Sequence, residues 1–68
     1  MDSVYKIIEI VGTSEKSWED ATRTALETVS KSIQDIRIAE VNKLDVKFKE
    51  DGSMIFRAKL DISFKYKG

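Results

Sequence analysis

The most restrictive feature of this sequence is that its 68 residues include neither cysteine nor histidine. A domain of this size buries a smaller share of its surface than a typical domain does, so its core alone gives little stability. Small domains usually make up the deficit with disulfides, a structural metal or oligomerisation. Disulfides need cysteine, and structural zinc sites are built on cysteine and histidine, so both are excluded. Very good packing, an ion held by oxygen ligands and association with other copies remain, and we favour association.

Charge and hydropathy argue against several classes of partner. The 12 basic and 12 acidic residues cancel, so the chain lacks the broad basic surface that nucleic acids select. No apolar run approaches the roughly 20 residues that cross a bilayer, so a membrane is not expected as a partner. Asp2, Lys6 and Glu9 interrupt the early apolar stretch, which therefore does not resemble a signal peptide. We expect a single cytoplasmic domain over residues 1–68.

The first part of the chain predicts a strand followed by a helix. Residues 3–11 are rich in β-branched side chains and predict a strand. We expect Gly12, Thr13 and Ser14 to break it. Residues 17–33 switch to helical spacing, with Ser17 as the predicted N-cap and Asp20 placed to complete a capping box. The apolar stripe of this helix contains Trp18, Ala21, Ala25, Leu26, Val29 and Ile33. On this stripe the tryptophan is predicted to be a core residue.

Residues 36–48 and 54–66 both alternate between apolar and polar side chains, which predicts two strands. One face of the second strand carries Met54, Phe56, Ala58, Leu60, Ile62, Phe64 and Tyr66. In the first strand the residues in phase are Ile36, Ile38, Leu44, Val46 and Phe48. Glu40 and Asn42 interrupt this second set, which predicts either a bend or a stretch that faces a neighbouring subunit.

The turn between these strands must contain an odd number of residues if their apolar faces are to coincide. A loop at 50–52 would place Gly52 at the left-handed position of a three-residue hairpin. A loop at 51–53 would instead pair Lys59 with Asp45, which is a better arrangement of charge. Both registers satisfy the apolar pattern.

Together these elements predict an α+β fold with β-α-β-β order, in which one helix packs on a three-stranded antiparallel sheet. One helix cannot cover two strands that are each roughly 40 Å long. Apolar surface and a sheet edge must therefore stay exposed in a single copy, which is a liability unless other copies cover them. This argument favours an oligomer.

Three segments carry a resemblance to a known family. They are residues 4–14 (VYKIIEIVGTS), residues 17–21 (SWEDA) and residues 59–65 (KLDISFK), and they resemble the corresponding segments of dodecins. The resemblance implies a hollow homododecamer built from trimers, without enzymatic activity. Most dodecins store or buffer flavins, namely FMN, riboflavin or FAD. They hold pairs of isoalloxazine rings between tryptophans of symmetry-related subunits, and a glutamine on the last strand bonds to the ring edge.

By position, the resemblance places that tryptophan at Ile38 and that glutamine at Arg57. An aliphatic side chain has no π face on which a flavin ring can stack. An arginine donates hydrogen bonds but cannot accept one from the imide N–H of the flavin. We therefore expect the usual flavin site to be altered in this chain, with Ile38 and Arg57 as its degenerate equivalents.

The combination of isoleucine and arginine at these positions resembles a branch of dodecins described as calcium-binding. Calcium takes six to eight oxygen ligands, and the predicted hairpin offers the carboxylates of Asp45, Glu50 and Asp51 as candidates. The alternative function is therefore a calcium-binding or purely structural dodecin assembly without an organic cofactor.

Catalysis has little support in the sequence. Without histidine or cysteine, the usual pairs of nucleophile and base cannot form. No nucleophile-elbow or phosphate-binding glycine motif is present. The preferred interpretation is a non-enzymatic ligand-storage protein.

Overall fold

The computed structural model describes residues 2–66 and confirms the predicted β-α-β-β fold. Strand β1 spans Tyr5–Ser14, helix α1 Trp18–Ser30, strand β2 Ile36–Phe48 and strand β3 Met54–Lys65. The sheet order is β1-β3-β2, and both pairs of neighbouring strands are antiparallel. Within residues 2–66, none of the helical structure is both long and apolar enough to cross a membrane.

The core lies between α1 and the central strand β3. Its fully or nearly buried side chains are Ala21, Ala25, Ala58, Leu60 and Ile62. Three of these alternate along β3, as the sequence pattern predicts, because every second side chain of a strand points to the same face. Ile8, Ile10, Leu26 and Ile36 pack around this group from the helix and from both outer strands.

The start of α1 follows the predicted capping pattern only in part. Ser17 is the N-cap, and its hydroxyl accepts a hydrogen bond from the Asp20 backbone N–H at 2.9 Å. The Asp20 carboxylate accepts a hydrogen bond from the Ser14 hydroxyl at 2.7 Å, so it ties the helix to the end of β1. The negative charge of Asp20 in the first turn also stabilises the helix by a favourable interaction with its dipole.

Gly12 lies inside β1, which continues to Ser14, so the prediction that the strand stops at Val11 and that residues 12–14 break it is wrong. A Cβ at this position would collide with the carbonyl oxygen of Ala21 and would lie 2.8 Å from the Cβ of Ala25. The glycine is therefore needed because the helix backbone approaches the strand too closely for any side chain. Its place in the sequence marks a helix contact rather than a turn.

The hairpin between β2 and β3 has the three-residue loop Glu50-Asp51-Gly52. The Lys49 N–H donates to the Ser53 carbonyl at 2.9 Å, and the Gly52 N–H donates to the Lys49 carbonyl at 3.0 Å. Gly52 has φ of 88°, the left-handed conformation expected at this position. Of the two loops compatible with the sequence, the structure has the one that pairs Phe48 with Met54.

Two irregularities in β2 change which side chains face the helix. The register with β3 shifts between Ile36 and Ile38 and again between Val41 and Lys43, which leaves Arg37 and Asn42 as the extra residues of two bulges. The bulge at Asn42 favours a bend, which is one of the two alternatives that the sequence leaves open for this stretch.

One face assignment in β2 needs correction. Ile38 is paired with Ser63 on the face opposite the helix, so it is not in phase with Leu44 and Val46 as the alternation predicts. Ile36 does face the helix, because the two bulges together shift the register by an even number of residues.

The subunit is elongated and leaves much apolar surface uncovered. It measures 54 × 20 × 16 Å, and its radius of gyration is 14.1 Å. A compact domain of this length would have a radius of gyration of about 11 Å. The large apolar side chains that remain exposed are Val4, Tyr5, Ile7, Val11, Trp18, Ile38, Val41, Leu44, Phe48, Met54 and Tyr66. This confirms the expected exposure of a single copy.

We predict that Gly12→Ala destabilises the fold by about 1–3 kcal/mol, because the new methyl group forces the helix away from the sheet. The measurement is the free energy of unfolding in denaturant, at a fixed protein concentration. Thr13→Ala is the matched control, since Thr13 is exposed and changes little. Equal stability of the two variants would contradict the close contact.

Candidate functional site

The sheet face that points away from the helix, here called the outer face, carries most of the candidate site. Its members follow from the strand register, because directly paired residues of antiparallel strands have side chains on the same face. They are Tyr5, Ile7, Glu9, Val11 and Thr13 on β1, Ile55, Arg57, Lys59, Asp61, Ser63 and Lys65 on β3, and Ile38, Glu40, Lys43, Asp45 and Lys47 on β2. The face thus mixes apolar side chains with both signs of charge.

Arg57 and Asp45 form a two-point ion pair on the outer face. The Arg57 Nε donates to Asp45 Oδ1 at 2.6 Å, and Nη2 donates to Oδ2 at 2.7 Å. These hydrogen bonds and the nearby positive charges of Arg57 and Lys43 lower the pKa of the Asp45 carboxyl, against a smaller opposing effect of desolvation. The same pair raises the pKa of Arg57. Arg57 is therefore held in one orientation by its cross-strand neighbour.

Trp18 contacts the backbone of Asp45 from the helix side of the sheet. Its indole Nε1 donates to the backbone carbonyl of Asp45 at 3.0 Å, and its ring meets Phe56 edge to face, with centroids 5.1 Å apart. Trp18 is still 38% exposed, so it packs on the hairpin without being fully buried as the stripe predicts. Asp45 is thus fixed through its backbone on the helix side and through its carboxylate on the outer face. The sequence carries no local signal for the Trp18 contact.

A shallow cavity of about 280 Å³ lies beside the Arg57–Asp45 pair. Its lining residues are Glu9, Val11, Lys43, Asp45, Arg57 and Lys59. A second ion pair crosses it, with Lys59 Nζ 3.5 Å from Glu9 Oε1. Lys43 adds a further positive charge, so the cavity has a small positive excess.

Ile38 is 64% exposed on the outer face, but it does not meet Arg57 in one copy. Ile38 pairs with Ser63, and Arg57 lies six residues before Ser63 on the same strand. At about 3.3 Å per residue this separates the two positions by roughly 20 Å. The two residues that the resemblance assigns to one ligand site are therefore apart in a single chain.

The three candidate metal ligands also lie apart. Asp45 is paired with Arg57, whereas Glu50 and Asp51 are in the exposed turn of the hairpin. Asp51 Oδ1 accepts hydrogen bonds from the hydroxyl of Ser53 at 2.6 Å and from its backbone N–H at 2.9 Å, and these bonds lower the pKa of the Asp51 carboxyl. Across residues 2–66, no three acidic side chains come together as ligands for an ion. The calcium assignment of these carboxylates stays a prediction.

Comparison with known proteins decides the family. The family model described as Dodecin matches residues 4–67. The chain belongs to the dodecin family. Dodecins are oligomeric binding proteins, and this chain is a dodecin-type binding protein.

Two curated dodecins are similar over nearly the whole chain. The calcium dodecin of Mycobacterium tuberculosis is 44% identical over 63 residues, which cover 93% of this chain and 89% of that protein. The dodecin of Thermus thermophilus is 32% identical over 65 residues, covering 96% and 94% of the two chains. The suggested likeness to the calcium-binding branch is confirmed by the first of these.

Solved structures agree with the fold. The crystal structure of the Mycobacterium tuberculosis calcium dodecin, described as a calcium-chelating antigen with a novel calcium-binding site, matches with a TM-score of 0.89 at 43% identity. The match covers 96% of this chain and 93% of that chain. The dodecin from Streptomyces davaonensis has a TM-score of 0.90 over the full length of both chains at 18% identity, which shows the shared fold alone.

We predict that the Arg57–Asp45 pair makes stability depend on pH in a defined direction. Because the folded pKa of Asp45 lies below the ordinary value of 3.8, the pair contributes stability above pH 3.8, and this contribution is lost as pH falls through the folded pKa. Asp45→Asn should therefore be less stable than the parent at pH 6, with the difference shrinking towards pH 2.5. Denaturant unfolding of both proteins over this range measures it, and a constant difference would contradict the pair's role.

Proposed function

We propose that this chain is the subunit of a hollow homododecamer, built from trimers, that binds and stores a small ligand without chemical turnover and in which the usual flavin site is altered. The observation that carries the proposal is the apolar surface that one copy leaves uncovered, on the outer face and beyond the end of the helix. Phe48, for example, is 73% exposed near the hairpin turn. Uncovered apolar patches of this kind mark interaction surfaces.

The separation of Ile38 and Arg57 supports a site shared between copies. Both side chains lie on the outer face, yet roughly 20 Å of strand lies between them. A ligand of flavin size that touched both positions would need them from different copies. The binding function therefore requires the assembly.

The chemistry of the two positions argues against flavin bound in the usual way. Ile38 offers no aromatic face for ring stacking. Arg57 has no acceptor atom for the flavin imide N–H, and two of its nitrogens already donate to Asp45. Where the resemblance places an aromatic side chain and a neutral amide, this chain has the aliphatic Ile38 and the Arg57–Asp45 ion pair.

We expect the native protein to quench FMN fluorescence weakly in a titration at micromolar concentrations. The double variant Ile38→Trp with Arg57→Gln should quench strongly, because it restores a stacking surface and an amide that both donates and accepts. The matched control is Ile38→Leu with Arg57→Lys, which changes the same positions without supplying either group. Tight quenching by the native protein would overturn this account of the flavin site.

A second candidate function is calcium binding, because a relative that is 44% identical is called a calcium dodecin. Asp45 and Asp51 are exposed or half-buried carboxylates that carry negative charge at neutral pH, as a calcium ligand must. Calcium takes six to eight oxygens, and residues 2–66 of one copy bring no three carboxylates together, so we propose a site that combines carboxylates of more than one copy. Calcium at Asp45 would also compete with Arg57 for the same carboxylate oxygens.

If calcium binds the folded assembly, it stabilises that state by mass action, by about 2.7 kcal/mol at a concentration 100 times its dissociation constant. We expect a higher thermal midpoint with calcium than with chelator, and a smaller shift in Glu50→Gln with Asp51→Asn. Glu27→Gln, on the helix surface, is the control that should keep the full shift. Identical midpoints of the native protein with calcium, magnesium and chelator would exclude a stabilising calcium site.

A further inference from the structure

The turn between β2 and β3 contains the one aspartate of the sequence that is followed by glycine. Asp51 precedes Gly52, whereas the other five aspartates precede serine, alanine, valine or isoleucine. Because glycine has no Cβ, its backbone nitrogen is the amide least hindered from attacking the carboxyl group of the residue before it. This attack is the first step in the conversion of aspartate to isoaspartate, so the turn carries the bond of this chain that is most open to that reaction.

The reaction needs no partner other than water. The Gly52 nitrogen forms a bond to Cγ of Asp51 and gives up its proton, and the protonated carboxyl group gives up its hydroxyl, so one water leaves and a cyclic imide remains. A second water then adds to the imide and opens it. Opening at Cγ restores aspartate, whereas opening at the main-chain carbonyl carbon of Asp51 gives isoaspartate, in which the main chain runs through Cβ and Cγ.

In the folded turn, both reacting groups are held in other contacts. Oδ1 of Asp51 accepts hydrogen bonds from the Ser53 hydroxyl at 2.6 Å and from the Ser53 backbone N–H at 2.9 Å. The Gly52 N–H donates to the Lys49 carbonyl at 3.0 Å. Ring closure requires Cγ to turn towards the Gly52 nitrogen, so the hydrogen bonds to Ser53 have to break first. The turn that contains the reactive bond therefore also contains the group that restrains it.

We propose that the Asp51-Gly52 bond is a site of spontaneous isoaspartate formation, and that the Ser53 hydroxyl limits its rate by holding the Asp51 carboxylate away from the Gly52 nitrogen. Ser53 is a positioning residue in this reaction, because it contributes no atom to the product. The hydrogen bonds from Ser53, above all the one from its hydroxyl, also lower the pKa of the Asp51 carboxyl. Only the protonated group can lose its hydroxyl as water, so a lower pKa leaves less of the reactive form at a given pH and slows the reaction further.

Water reaches this turn freely, and the same chain provides a contrast. Residues 50–53 are all exposed, and apart from its chain neighbours no heavy atom lies within 4 Å of the place where a Cβ of Gly52 would stand. Asp45 and Asp61 lie inside strands instead. Each is followed by a β-branched residue, whose stiff side chain shields the amide nitrogen. These two aspartates serve as internal references.

Isoaspartate at this position changes the turn itself, because it adds one atom to the main chain of a three-residue loop. The loop closes through the hydrogen bond from the Lys49 N–H to the Ser53 carbonyl at 2.9 Å and through Gly52, which has φ of 88°. The length of a hairpin loop fixes the register of its strands. The converted chain therefore does not keep the pairing of Phe48 with Met54 at the end of the hairpin.

Storage of the full-length protein at 37 °C and pH 6 tests the site. The measurement is the isoaspartate content at each aspartate, determined by chromatography and mass spectrometry of a digest. We expect isoaspartate at Asp51 and none at Asp45 or Asp61. Ser53→Ala should form it roughly tenfold faster, which corresponds to the loss of one hydrogen bond to a charged group. Ser53→Thr keeps the hydroxyl and should form it at the native rate.

Two further measurements separate the Ser53 contact from other causes. In guanidinium chloride that unfolds the chain, the native protein and Ser53→Ala should react at equal rates, because the contact exists only in the folded turn. In the folded proteins, the ratio of the two rates should narrow as pH falls below 3.8, the ordinary pKa of an aspartate, because both carboxyls are then protonated. A variant whose turn is merely loosened would keep a constant ratio.

The outcomes decide the site and the role of Ser53 separately. Absence of isoaspartate at Asp51 from both the folded and the unfolded native chain overturns the site. Equal rates in the folded native and Ser53→Ala proteins, a difference that persists after unfolding, or a ratio that is independent of pH overturns the role of Ser53. None of these results depends on a ligand or on the number of copies in the assembly, so the proposed function is tested independently.

Discussion

One helix has to cover a sheet that is about twice its length, and this mismatch determines the character of the subunit. The 13 residues of α1 span about 20 Å, whereas the 13 residues of β2 span about 40 Å. The core forms only where helix and sheet overlap, around Leu60 and Ile62. Beyond the helix, the side chains on the same face of the hairpin, such as Phe48 and Met54, have no cover of their own. The subunit thus contains every element of its fold, but its single helix leaves part of the apolar face of the sheet uncovered.

The parts of this fold that depend on local pattern could be predicted from the sequence. The alternation along 54–66 gives the central strand and its buried face, and Ser17 gives the start of the helix. The odd-numbered turn follows from parity, although two loops remain until the pairing of Lys49 with Ser53 decides between them. These features depend on interactions between residues close together in the chain, so a short stretch of sequence is enough to predict them.

Other features depend on contacts between distant parts of the chain, and the sequence pattern gives them wrongly or not at all. Gly12 looks like the end of a strand, but its role is set by the helix backbone above it. The contact of Trp18 with Asp45 joins residues 27 positions apart. The assignment of Ile38 and Arg57 to a ligand site comes from family resemblance, and the strand register alone reveals how far apart they are. Arg57 also acquires its partner Asp45 only through that register.

The two bulges of β2 have a consequence for how such a chain can change in evolution. Each bulge reverses the faces of all residues beyond it, so two of them cancel and Ile36 returns to the helix side with Leu44. Deleting Asn42 would remove one bulge together with its extra residue, so Val41 would still pair with Leu60 and the residues beyond would keep their faces. A deletion at a regularly paired position such as Glu40 would instead reverse the faces of the residues beyond it, so the bulges are where this strand can lose a residue without turning its side chains over.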